Sequence, residues 1–139
     1  MDGRLTEFET EAISTLIAGD HPVLGNLRAQ LGVCRVSKRE FTRVGFFTTL
    51  ELPDATVPAP LAHRIVLADA VVEMGGLAHG AGIVLFVEGG LLDVLEGFAY
   101  DEPWPDEVQN YKITAGGVHH LGDAPTDLET IDSAWVRHT

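Results

Sequence analysis

Over the first thirty residues the apolar positions recur at helical spacing. In "LTEFETEAISTLIAGD", Phe8, Ile13, Leu16 and Ile17 fall on one stripe, and Gly19 ends the run. Thr6 and Glu9 stand three residues apart, the pairing in which each side chain satisfies the other's free backbone N–H at a helix start. The pattern predicts a helix from about Thr6 to Ala18. A second, shorter helix follows in "HPVLGNLRAQLG", with Pro22 in the first turn, Val23, Leu24, Leu27 and Leu31 on one face, and Gly32 as terminator.

Beyond Gly32 the period falls to two and the vocabulary turns to Val, Phe, Thr and Ile between glycines. "RVGFFTTLEL" sets Val44, Phe46, Thr48, Leu50 and Leu52 on one face and Gly45, Phe47, Thr49 and Glu51 on the other. "PDATVPAPLAH" holds Pro53, Pro58 and Pro60 and predicts an irregular connection. "RIVLADAVVEM" predicts one long strand and "GLAHGAG" a glycine-rich loop. "IVLFVEGGLLDVLEGFAY" predicts a hairpin turning at Gly89 and Gly90, "NYKIT" a last strand, and residues 115–139 a polar tail. The whole is α+β: one domain, 1–139, in which two N-terminal helices (about 6–31) pack on a largely antiparallel sheet of about five strands (about 34–114).

Charge is unevenly distributed. The net charge is −12, yet residues 1–50 carry six basic and six acidic side chains, so the imbalance belongs to the remainder. Between Arg64 and Lys112 there is no basic residue, while Asp69, Glu73, Glu88, Asp93, Glu96, Asp101, Glu102, Asp106 and Glu107 all fall there. Such a surface repels phosphate backbones and anionic headgroups, which disfavours nucleic acid and membrane as partners. The local exception is the basic cluster in "RVSKREFTR". One cysteine, Cys34, precludes an internal disulfide, and Met1 leads into acidic residues instead of a basic and apolar leader, so the expected compartment is cytoplasmic.

Motifs for chemistry are incomplete. Gly80-Ala81-Gly82 lacks the third glycine and the following helix of a phosphate loop, and no serine sits in a G-x-S-x-G elbow. None of the six histidines has zinc-ligand spacing, so no metal or cofactor is implied. A three-ligand convergence of His79, His63 and Glu73 is conceivable, but nothing in the spacing fixes it. On "LLDVLEGFAY" strict alternation puts Leu92, Val94, Glu96, Phe98 and Tyr100 on one face and Leu91, Asp93, Leu95 and Gly97 on the other. Whichever face meets the core then carries a carboxylate. With the even face inside, Glu96 is an acid/base candidate; a bulge at Gly97 would instead turn it outward.

The segment "LEGFAYDEPWPDEV" contains five carboxylates, three aromatic rings and two prolines with no cation. Pro103 and Pro105 stiffen the chain about Trp104, and Asp101, Glu102, Asp106 and Glu107 rim it, with Tyr100 just before. Two readings are equally compatible: an interface anchor with an acidic steering rim, or a lid folded back over the sheet. "GFFT", "HGAGIVLF" and "LEGFAYDEPWP" together resemble a set of small bacterial proteins with no assigned activity, over about Leu5 to Thr114; the resemblance brings no catalytic residues. The function expected is a non-catalytic acidic module binding a protein with a basic surface, immunity-like inhibition being one version, with a homodimer also open. The alternative is a small enzyme or ligand-binding domain using Glu96, His79 and Glu73 in an acidic cleft.

Overall fold

The computed structural model describes residues 3–115 and 127–136. Helix α1 (Glu7–Leu16) opens with both halves of the Thr6–Glu9 capping box in place. Helix α2 (Pro22–Leu31) has Pro22 at its first position, and the ring of His21 accepts the Val23 N–H as its N-cap. The strands are β1 (Arg35–Phe41), β2 (Gly45–Glu51), β3 (Ile65–Leu67), β4 (Ala70–Met74), β5 (Ala81–Glu88), β6 (Leu91–Ala99) and β7 (Tyr111–Ala115), followed by α3 (Asp127–Ala134). They form one antiparallel sheet in the order β1-β2-β6-β5-β4-β7, with β3 also paired to β5. The class is α+β as expected.

The sheet has seven strands, not about five, for two local reasons. β1 reads as a string of charges because its two half-buried residues, Val36 and Arg39, stand three apart across a bulge between Val36 and Lys38, and one of them is an arginine. "RIVLADAVVEM" is broken at Ala68 and Asp69, whose N–H groups leave the ladder and donate to the Asp127 carboxylate at 2.7–3.0 Å. That carboxylate belongs to α3, which lies within the stretch expected to be a polar tail. α3 buries Ile131 and Ala134, and the Ala134 carbonyl accepts from Ala62 N at 2.7 Å. The histidine pair His119–His120 and the rest of 116–126 fall outside the described residues.

All three helices contribute to a single buried cluster on one face of the sheet, with Ile13, Ile17, Leu27, Ile83, Leu85, Leu95 and Ile131 fully enclosed. The opposite face keeps Phe47, Val84, Val94 and Phe98 only half-buried. Gly89 and Gly90 turn the β5–β6 hairpin at φ of 61° and 76°, as their positions predict. The alternation on β6 is not strict. Phe86 pairs with Val94 but Val87 with Leu92, so Asp93 is the extra residue of a bulge. Leu92 therefore joins Leu95, Gly97 and Ala99 inside, and both Asp93 and Glu96 stay out of the core. The expectation that one face must bury a carboxylate is overturned, and the bulge responsible is at Asp93 instead of Gly97.

Candidate functional site

The buried carboxylate of this protein is Glu9. It lies four residues before Ile13 and seven before Leu16, on the apolar stripe of α1, and is 3% exposed. Its Oε1 accepts from Thr6 N at 2.7 Å and Arg39 Nη2 at 2.6 Å; its Oε2 accepts from Arg39 Nε at 3.0 Å and Thr48 Oγ1 at 2.6 Å. One side chain thus completes the helix cap, pairs side-on with a guanidinium from β1 and takes the hydroxyl of β2. Burial acts to raise its pKa, but the hydrogen bonds from Arg39, Thr48 and Thr6 and the guanidinium charge outweigh it, holding the carboxyl below its ordinary range. Arg39 Nη2 also donates to the Arg4 carbonyl at 2.9 Å.

Beside this pair four rings meet edge to face. Phe8 of α1 stands 5.0 Å from Tyr111 and 6.2 Å from both Phe46 and Trp104, and Phe46 lies 5.2 Å from Trp104, with interplanar angles of 65–88°. Gly97 makes room for this packing, since a Cβ there would meet the Phe46 ring at 2.3 Å. Phe8, Phe46, Trp104, Tyr111 and Val108 wall a cavity of about 370 Å³. Glu9 and Arg39 line its interior, Glu7 and Asp106 contribute carboxylates, and Phe41 stands at its mouth, 73% exposed. Tyr111 is pushed up by desolvation and by the neighbouring carboxylates of Glu11 and Glu7.

The loop that brings Trp104 here is pinned along its length. Asp101 and Asn110 take positive φ, 57° and 51°, at its two ends. Trp104 N donates to the Arg43 carbonyl at 3.0 Å, and Gly75 N to the Asn110 carbonyl at 3.1 Å. The Glu102 carboxylate accepts from Ala78 N and His79 N, both at 2.9 Å, and those two N–H groups hold its pKa below the usual value. The three motifs quoted above therefore meet at one place. "GFFT" supplies Phe46 and Thr48, "HGAG" the His79 amide, and "LEGFAYDEPWP" Gly97, Glu102 and Trp104.

Of the residues singled out from the sequence, Trp104 and Asp106 line the cavity, and Asp101 and Glu107 are exposed on the same loop. Glu102 is a clamp on the neighbouring turn, and Tyr100 packs on Phe98, 5.5 Å between centroids, on the open face. Glu96 lies on that face between Phe47 and Val84 of the adjoining strands. Glu73 pairs in register with Lys112, and the ring of His79 is exposed. Among the described residues no hydrogen bond or ion pair links any two of Glu96, His79 and Glu73, and no group of three or more His, Cys, Asp or Glu is arranged to hold a metal. No helix among them is long and apolar enough to cross a membrane.

Glu9 and Phe8, read from the sequence only as a helix cap and a core residue, and Arg39 and Tyr111 were not anticipated as parts of a site. A carboxylate on the apolar stripe of α1 was the available signal, whereas nothing local marks Arg39 as inward. Compared with family models, curated proteins and solved structures, the chain matches none of them.

Proposed function

We propose that this chain is a non-catalytic interaction module that docks a partner with a basic surface on the face formed by residues 101–110, immunity-like inhibition being one form such docking takes. The observation that carries the reading is the loop's architecture: Trp104 is held half-buried at an aromatic cavity while Asp101, Asp106 and Glu107 project around it from a segment fastened at both ends. A preorganised aromatic anchor with an acidic rim gives slow dissociation from the ring and fast association from the charges. The absence of any Lys or Arg between Arg64 and Lys112 adds to the same field. The enzyme reading gains no support, since among the described residues no hydrogen bond or ion pair joins any two of its three.

The test captures partners from source cells on the immobilised protein, identifies them, and measures binding kinetics with defined variants. Reversing Asp101, Asp106 and Glu107 to Lys is expected to slow association about tenfold or more at low salt, with the effect shrinking as salt rises. Glu102 is left intact because its reversal would release the loop. Unchanged rates for the triple variant would overturn the proposal.

A further inference from the structure

The cavity beside Trp104 has a lining that selects one class of ligand. Phe8 and Phe46 are almost wholly covered, but Trp104 and Tyr111 are half-buried and Phe41 is exposed, so a compact group inside has more than one ring within reach. Three carboxylates, Glu7, Glu9 and Asp106, and one guanidinium line it; Glu9 and Arg39 neutralise each other, and the remaining negative charge favours a cation. Arg39 and the N-terminus of α1 would attract an anion, but Arg39 is held by both oxygens of Glu9, and Glu7 and Glu9 already occupy the helix's first turn.

The acceptors narrow the cation further. Each Glu9 oxygen already accepts two hydrogen bonds, and the other two carboxylates of the lining, Glu7 and Asp106, are exposed residues. A primary ammonium or a guanidinium seated against the rings would surrender water from its N–H groups and find acceptors only toward Glu7 and Asp106, not among the aromatic walls. An ammonium whose protons are replaced by methyl groups has none to satisfy, is weakly hydrated, and gains from the ring faces. We infer that the cavity is a binding site for a quaternary ammonium group, carried by a free small molecule such as choline or by a trimethylated lysine side chain. The inference rests on the cavity's lining and does not require the basic-partner reading, since a free ligand fills the site with no protein attached.

The chain has two tryptophans, which makes the experiment self-referencing. Trp135 packs against His21, 4.4 Å between centroids, away from the cavity. Tetramethylammonium, choline and a trimethyllysine peptide are titrated into the whole protein at constant ionic strength, with n-butylammonium, the unmethylated peptide and acetate as controls, and indole N–H shifts are followed by NMR. Saturable shifts at Trp104 with Trp135 unmoved, about tenfold weaker binding of the primary ammonium, and no binding of acetate are expected. Trp104→Leu, checked for folding by its amide spectrum, and Phe41→Leu, at an exposed position, should each weaken choline binding several-fold. Choline binding more tightly than the peptide assigns a free ligand, and the reverse order assigns a side chain; both sustain the site. Equal affinity for n-butylammonium, saturable acetate binding, or no shift at Trp104 with any quaternary cation would overturn it. Partner capture reads the exposed loop acids, so failure of one experiment is separable from failure of the other.

Discussion

Replacing Arg39 by Met isolates the electrostatics of the Glu9 pair. The two side chains are 14% and 5% exposed, and the guanidinium supplies two of the carboxylate's four hydrogen bonds, at 2.6 and 3.0 Å. Met retains the aliphatic stem's packing and removes the charge, leaving Glu9 buried against Thr48 and Thr6 alone. Breaking a buried pair in this way costs about 3–5 kcal/mol at neutral pH. With a urea m-value of about 2 kcal/mol/M, the unfolding midpoint should fall by about 2 M, and a domain of ordinary stability stays folded. The pH dependence carries the sign. In the wild type Glu9 has a folded pKa below its unfolded value near 4.5, so its contribution is present above that value and lost as pH falls through the folded one. In Arg39→Met burial dominates and the folded pKa rises, so the variant is penalised at neutral pH and relieved as Glu9 takes up a proton. Urea unfolding at pH 7 and pH 4 should show the gap between the proteins narrowing at pH 4. A gap under about 1 kcal/mol at pH 7, or one of equal size at both values, would refute the reasoning. The all-apolar triple variant Glu9→Leu, Arg39→Met, Thr48→Val, which leaves no stranded charge or hydroxyl, should lie within about 2 kcal/mol of wild type.

Gly45→Ala would bring a Cβ to 1.9 Å from the Gly97 carbonyl oxygen, a backbone atom that cannot move aside without parting β2 from β6. Thermal unfolding should register a loss of about 3 kcal/mol or more. Glu102→Gln should speed amide exchange at Ala78 and His79 at neutral pH. In the wild type, because the folded pKa of Glu102 is lowered, that protection should persist above the ordinary carboxylate value and fade as pH drops through the folded one, which exchange measured across that interval checks.

Where a segment's fate depended on its own period, the sequence was readable. The capping box, the apolar stripe of α1, the inward Phe46, Thr48 and Leu50 of β2 and the Gly89-Gly90 turn all lie where their spacing places them. Failures arose where a distant group overrode the local pattern. Asp127 splits one predicted strand from 58 residues away, the bulge opposite Phe86 and Val87 shifts Asp93 out of phase, and Glu9 gives Arg39 a reason to face inward. The site shows the same division. Trp104 and its acidic neighbours announced themselves by composition, but Phe8, Phe46 and Tyr111 look like ordinary core residues until the fold gathers them around the indole.

β1 is the outermost strand at one end of the sheet, and an outermost strand is a template on which another chain can grow. Its residues meet that hazard in several ways. The bulge between Val36 and Lys38 bends the ladder, Lys38 and Glu40 form an exposed ion pair, and the Gly3 carbonyl already occupies the Val36 N–H at 2.8 Å. Arg39, a charge turned inward, makes any slipped or extended pairing strand an ion in apolar surroundings. The basic run that looked like a patch for anions is therefore also a guard against intermolecular strand addition. The apolar triple variant would keep its fold and the other guards but lose the inward charge, so its defect should surface mainly as faster aggregation on storage at high concentration.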